Sequence, residues 1–165
     1  MFPLKPISKE GIPEALAKAE RYRLLNEPQL AESICLDILE LDPENHKGIV
    51  TLILSITDQF GSQGSASVGD ARKLLNRLNN EYEKFYFDGI ICERQGNAIL
   101  NKGSMGGNFI AYDWIIDAMA LFEKAEAIRP PGNDDPILRW NTCVRLITRH
   151  NLRKGEEDYS EPPLE

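Results

Sequence analysis

The sequence predicts an all-α protein of successive amphipathic helices. The first observation is a spacing pattern. In Ala31-Glu-Ser-Ile-Cys35-Leu-Asp-Ile38-Leu-Glu-Leu-Asp-Pro43, small or apolar residues fall at i, i+4 and i+7, and a proline closes the segment. Ala118, Phe122, Ala125 and Pro130 repeat the same offsets. A helix brings i, i+4 and i+7 onto one face, a small residue lets a neighbouring helix come close, and a proline stops the ladder. The second observation is composition. With 42% hydrophobic and 27% charged residues, the chain has the material for a continuous core and is not of the disordered class. Its length of 165 residues suits one compact domain or a short repeat array.

The elements follow in order. Residues 9–25 carry a helical pattern around Ala15, Ala19 and Tyr22. Asn26-Glu27-Pro28 then reads as a turn, with Pro28 opening a helix over 28–41. Helices are expected near 45–60, 69–80, 82–101, 108–128 and 134–149. Gly61-Ser-Gln-Gly-Ser-Ala-Ser-Val68 has the composition of a flexible connection, and Gly103-Ser-Met-Gly-Gly107 reads the same way. Pro130-Pro131-Gly132 stops one helix, and Asn133-Asp134-Asp135-Pro136 starts the next with a polar cap and a first-turn proline. In that last helix Ile137, Trp140, Val144 and Ile147 form an apolar stripe. Residues 1–150 thus form the expected helical domain, and 151–165 (NLRKGEEDYSEPPLE) read as a polar, mobile tail.

The pattern of Ala118, Phe122, Ala125 and Pro130 resembles the second helix of a tetratricopeptide repeat, whose signature includes A-x3-F and a closing proline. Ala31, Cys35, Ile38 and Pro43 match in part; Ala71, Leu75 and Leu78 match more weakly, with Glu83 where the proline would stand. Counting back from Pro43 puts the family's aromatic–small–aromatic positions of the first helix on Ala15, Ala19 and Tyr22, and Ala15 departs from them. Pro43 and Pro130 stand about 19 residues further apart than two repeats of roughly 34 residues would place them, so the two glycine-rich stretches are read as insertions. The resemblance implies that the helices stack as antiparallel pairs, about three repeats plus a terminal helix.

It also implies a function: a protein- or peptide-binding scaffold or adaptor, whose first helices line a concave groove. Applied to this chain, the register turns Tyr86, Glu93, Arg94 and Asn97 inward, with Gly89 as the family's small residue, and adds Asn141 and Arg145 from the last helix. Arginine forks and asparagine amides suit peptide carboxylates and backbone. The blander reading of Glu93 and Arg94 is an ion pair between neighbouring helices. Some relatives grip a terminal carboxylate with basic and amide groups, but the matching positions here hold Leu16 and Glu20, which do not fit. Two other functions stay open: an accessory or regulatory subunit holding a small molecule between repeats, and an enzyme using the charges of helix 82–101.

Several classes of chemistry are not expected. A net charge of −7 lacks the basic balance that non-specific nucleic-acid binding needs. No apolar run approaches the ~20 residues of a membrane span. MFPLKPISKEG has no apolar core of a secretory signal. His46 and His150 stand apart without partners at metal-ligand spacing, so no metal or cofactor is expected, and no GxxxxGK[ST] loop occurs. A serine or cysteine nucleophile would need a base beside it, and the chain has just two histidines. Cys35, Cys92 and Cys143 read as buried free thiols of a cytoplasmic protein. Phe85, Tyr86, Phe87, Trp114 and Trp140 read as packing. Arg145, Arg149 and Arg153 recur every four residues, with Lys154 beside them and Glu156, Glu157 and Asp158 following. This reads as a cationic helix end or, more sharply, as a docking stripe for an acidic partner.

Overall fold

The computed structural model describes residues 1–63 and 66–156. After a 3-10 turn at Lys9–Gly11, the chain forms α1 (Ile12–Leu24), α2 (Pro28–Leu41), α3 (His46–Asp58), α4 (Val68–Leu75), α5 (Glu81–Lys102), α6 (Gly107–Ala127) and α7 (Asp135–His150). No strand occurs among the described residues. Each helix packs against the next, and α3 also touches α1 and α5.

Local chemistry sets the boundaries. Pro13, Pro28 and Pro136 sit in the first turns of α1, α2 and α7, where a missing N–H costs nothing. Asn45 and Asn80 cap α3 and α5 by accepting from the Gly48 and Glu83 amides. Ser67 and Asp70 cap each other's backbone at the start of α4. Asn26 adopts a left-handed φ of 59° in the turn after α1, a conformation asparagine tolerates better than most residues. Gly103 ends α5 with a φ of 66°, the usual use of glycine past a helix end.

Two expectations need correction. The helix expected at 69–80 ends at Leu75. Leu78 is buried all the same, but from a turn, because Asn80 is committed to capping α5 and Arg77 reaches out to the Pro43 carbonyl. The stretch 61–68 is more than a connection. Its residues 64–65 lie outside the described residues, but Ser67 caps α4, and Ala66 and Val68 pack on the core. Of the segment expected to form a tail, 157–165 lie outside the described residues. Within it Leu152 is buried, and its amide donates to the Ile147 carbonyl at 3.0 Å.

The core runs through all seven helices. Ala19, Ala31 and Cys35 join Ile49, Leu52, Ile53 and Ile56 of α3, then Ile90 and Ile91 of α5, Ile115, Ala118 and Phe122 of α6, and Cys143 of α7. Ala118 and Ala125 are both fully buried, as small residues at a helix crossing should be. Helices α5 and α6 approach each other closely at two glycines. A Cβ added at Gly89 would lie 2.5 Å from the Phe122 ring, and one at Gly96 would lie 2.8 Å from Ile115 and 3.3 Å from the Ala111 carbonyl oxygen. The three thiols are free and buried.

Gly89→Ala should therefore lower stability by about 1–3 kcal/mol, the usual cost of overpacking, even though alanine is the better helix former by ~1 kcal/mol. Urea denaturation of the variant measures it. A midpoint equal to or above the wild type would mean that Phe122 can move aside.

Candidate functional site

The polar groups most deeply set in the structure lie on the odd-numbered helices. Asp58, at the end of α3, accepts from two of them at once. From α1, Arg23 Nε donates to Oδ2 at 2.7 Å and Nη2 to Oδ1 at 3.4 Å. From α5, Arg94 Nη1 pairs with Oδ1, and also donates to Thr57 Oγ1 at 2.8 Å and to the Leu54 carbonyl at 3.2 Å. All three charged side chains are half-buried. Next along α5, Glu93 is 3% exposed and accepts from Arg139 Nη1 of α7 at 3.0 Å. Asn97 Nδ2 donates back to the Glu93 carbonyl at 3.1 Å. Charged groups thus link α1 to α3, α3 to α5, and α5 to α7.

Burial shapes the charges. It pushes the Glu93 carboxyl up, against the pull of Arg139 and Arg94. Burial likewise lowers Arg94, and Asp58 only partly offsets this. Arg139 is also opposed by burial, but Glu93 and Tyr86 outweigh it and hold its pKa above the ordinary arginine value. Three guanidiniums, on Arg23, Arg94 and Arg139, meet two carboxylates, on Asp58 and Glu93, within the network. Each arginine has N–H groups beyond those it spends inside the protein.

The six residues singled out from sequence divide into two groups. Tyr86, Glu93, Arg94 and Asn97 are brought together on α5. Glu93 is too buried to line a groove and instead holds Arg139. Tyr86 is half-buried and lies 6.0 Å, ring to ring, from Phe122. Asn141 and Arg145 are not joined to this network by any hydrogen bond or ion pair among the described residues. Asn141 is half-buried, and Arg145 is exposed. The helix-to-helix ion-pair reading of Glu93 and Arg94 describes what their side chains do inside the fold.

Sequence reasoning missed Arg23, Asp58 and Arg139. A signal existed for Asp58, which closes the uncharged run Ile49–Thr57 and is the one acidic residue of α3. Arg139 gave none, because its partner is set by how α7 lies on α5.

Other groups offer little chemistry. Burial pushes the Cys35 and Cys143 thiols up to about 12 and Cys92 to about 11, so none is a thiolate near neutral pH. Arg72 donates to Cys92 Sγ at 3.2 Å and lies over Trp114. His46 Nε2 sits 2.7 Å from Glu83 Oε2. Among the described residues no three His, Cys, Asp or Glu side chains gather as a metal ion would require, and no helix is long and apolar enough to cross a membrane.

Two measurements check this geometry. Asp58→Ala strips two half-buried guanidiniums of their shared acceptor and should cost about 1.5–3 kcal/mol, the range for bonds to charged groups. Arg23→Ala should cost less, since Arg94 keeps Asp58 satisfied. Equal losses in denaturant melts would show that the carboxylate is not shared. The second measurement concerns pH. The folded-state pKa of Glu93 lies above the ordinary 4.5, so the folded state holds this proton more tightly than the unfolded one. Its contribution is therefore fully present below 4.5 and is lost as pH rises through the folded value. Wild type should lose stability relative to Glu93→Gln over that rise. A difference that stays constant with pH would contradict the assignment.

A scan against family models gives no match, and neither the curated proteins nor the solved structures offer a significantly similar one.

Proposed function

We propose that the chain is a scaffold or adaptor that binds a protein or peptide along the face formed by α1, α3, α5 and α7, in the manner of a tetratricopeptide-like array. The observation that carries this reading is the line of half-buried charged groups, Arg23–Asp58–Arg94, crossing three successive odd-numbered helices. A solenoid of helix pairs aligns its first helices in this order, and the contacts of α3 with both α1 and α5 support that arrangement. The tight Gly89–Phe122 contact supports it too, since a small residue of the first helix meeting an aromatic of the second is what the family's spacing implies. In this reading Asp58 and Glu93 are positioning residues. They hold Arg23, Arg94 and Arg139 in place and leave each with N–H groups for a peptide carbonyl or carboxylate. Asn97 adds an amide group, and Tyr86 adds apolar area.

A small molecule held between the helix pairs is the weaker alternative. Two hollows of about 540 and 560 Å³ are lined by the α6 start with Arg153 and by residues 4–7 against α2. Neither lies between odd-numbered helices.

The test is to select peptides from a displayed random library against the isotope-labelled protein and map the bound peptide by amide chemical shifts. Shifts centred on Arg23, Arg94 and Asn97 are expected. Shifts confined to α2, α4 and α6 would overturn the proposed face.

A further inference from the structure

The chain has ten arginines, and most are used inside the fold. Arg23, Arg72, Arg94, Arg129 and Arg139 pair with carboxylates, and Arg77 donates to a carbonyl. Arg21, Arg145, Arg149 and Arg153 have no such partner among the described residues. Three of these four fall in the last helix and the turn after it, in a chain whose net charge is −7.

Their placement on α7 is regular. Leu138, Thr142, Arg145 and Arg149 advance by four, three and four residues, so they share one stripe, and all four are exposed. Leu138 is 61% exposed, so the stripe carries apolar area beside its charges. The opposite side of α7 is in use: Cys143 is buried, and Arg139 reaches Glu93. Arg153 follows the helix, beyond the left-handed Asn151, and continues the basic end.

The helix dipole explains only part of this. A cation in the last turn is favourable there, but the effect falls off within that turn. Arg149 and His150 qualify. Arg145, more than a turn earlier, does not.

We infer that the outer stripe of α7 is a second docking surface, for an acidic helical segment of another protein. Carboxylates of that segment at helical spacing meet Arg145 and Arg149, and an apolar residue about three turns away meets Leu138. Charge complementarity selects this occupant. A nucleic-acid backbone would also satisfy arginines, but not Leu138, and the protein's acidic balance repels it. The stripe lies away from Arg139, the α7 residue of the face proposed above, and does not depend on what that face binds.

The test uses the full chain and a labelled synthetic helical peptide with glutamates at i, i+4 and i+8 and a leucine about three turns away. Fluorescence anisotropy is read at about 50 mM and about 500 mM salt, which separates weak screening from strong. Binding should appear at low salt and fade at high salt. It should weaken about three- to ten-fold in Arg145→Gln/Arg149→Gln, as expected for two exposed ion pairs, with an unchanged thermal melt. Leu138→Ser should weaken it further, and Arg21→Gln should leave it alone. The inference is overturned if the double variant binds as wild type does, or if a peptide with the same composition but scrambled spacing binds equally well. It is also overturned if duplex DNA displaces the peptide more effectively than unlabelled peptide does. Binding that appears only after Glu157 and Asp158 are changed to Gln and Asn would assign the stripe to the chain's own acidic segment instead.

Discussion

The missing Cβ at Gly89 lets α5 and α6 close on each other, and much of the structure depends on that approach. Phe122 fills the space that a side chain at Gly89 would take, and Ile115 does the same at Gly96, nearly two turns on. Between the two contacts lie Ile90, Ile91, Cys92 and Glu93, all buried. The longest helix of the protein is thus locked in rotation about its own axis. That rotation aims Arg94 at α3 and Glu93 at α7. A helix free to turn by one residue, about 100°, would point both charges elsewhere.

The polar network that results has a definite energetic character. Taking charges out of water costs several kcal/mol per ion, so pairs such as Glu93–Arg139 contribute more to alignment than to stability. Asp58 illustrates the economy of the arrangement. Both of its oxygens are occupied by arginines from different helices, so one desolvated carboxylate orders two guanidiniums. A guanidinium has five N–H groups, and those of Arg23, Arg94 and Arg139 not spent on Asp58 and Glu93 are the chemistry the proposed peptide-binding face would use.

Helix α7 differs from the interior helices in how it uses charge. Its inner side enters the network through Arg139, while its outer side carries arginines without partners among the described residues and an exposed leucine. Helices α3 and α5, covered on two sides, spend Asp58, Glu93 and Arg94 inside the protein. A helix covered on one side can hold a second pattern in the same residues, because positions on opposite sides of a helix are independent of one another.

Much of the architecture was legible in the sequence, because helix formation and termination are local. The i, i+4, i+7 spacing placed Ala118, Phe122 and Ala125 on a buried face, and Pro28 and Pro136 marked two helix starts from their own chemistry. Helix α4 ends at Leu75 rather than at 80, because Asn80 caps α5 and Leu78 enters the core from the connection between them. For the candidate site, the family register applied to one mixed polar and aromatic helix brought out Tyr86, Glu93, Arg94 and Asn97. Tertiary structure decided their partners. Asp58 lies 35 residues from Arg23 and 36 from Arg94, and Arg139 lies 46 residues from Glu93. Which charges meet across such separations depends on crossing angle and helix rotation, and those are fixed by side-chain volumes at contacts such as Gly89–Phe122. Periodicity along a single helix carries no record of them.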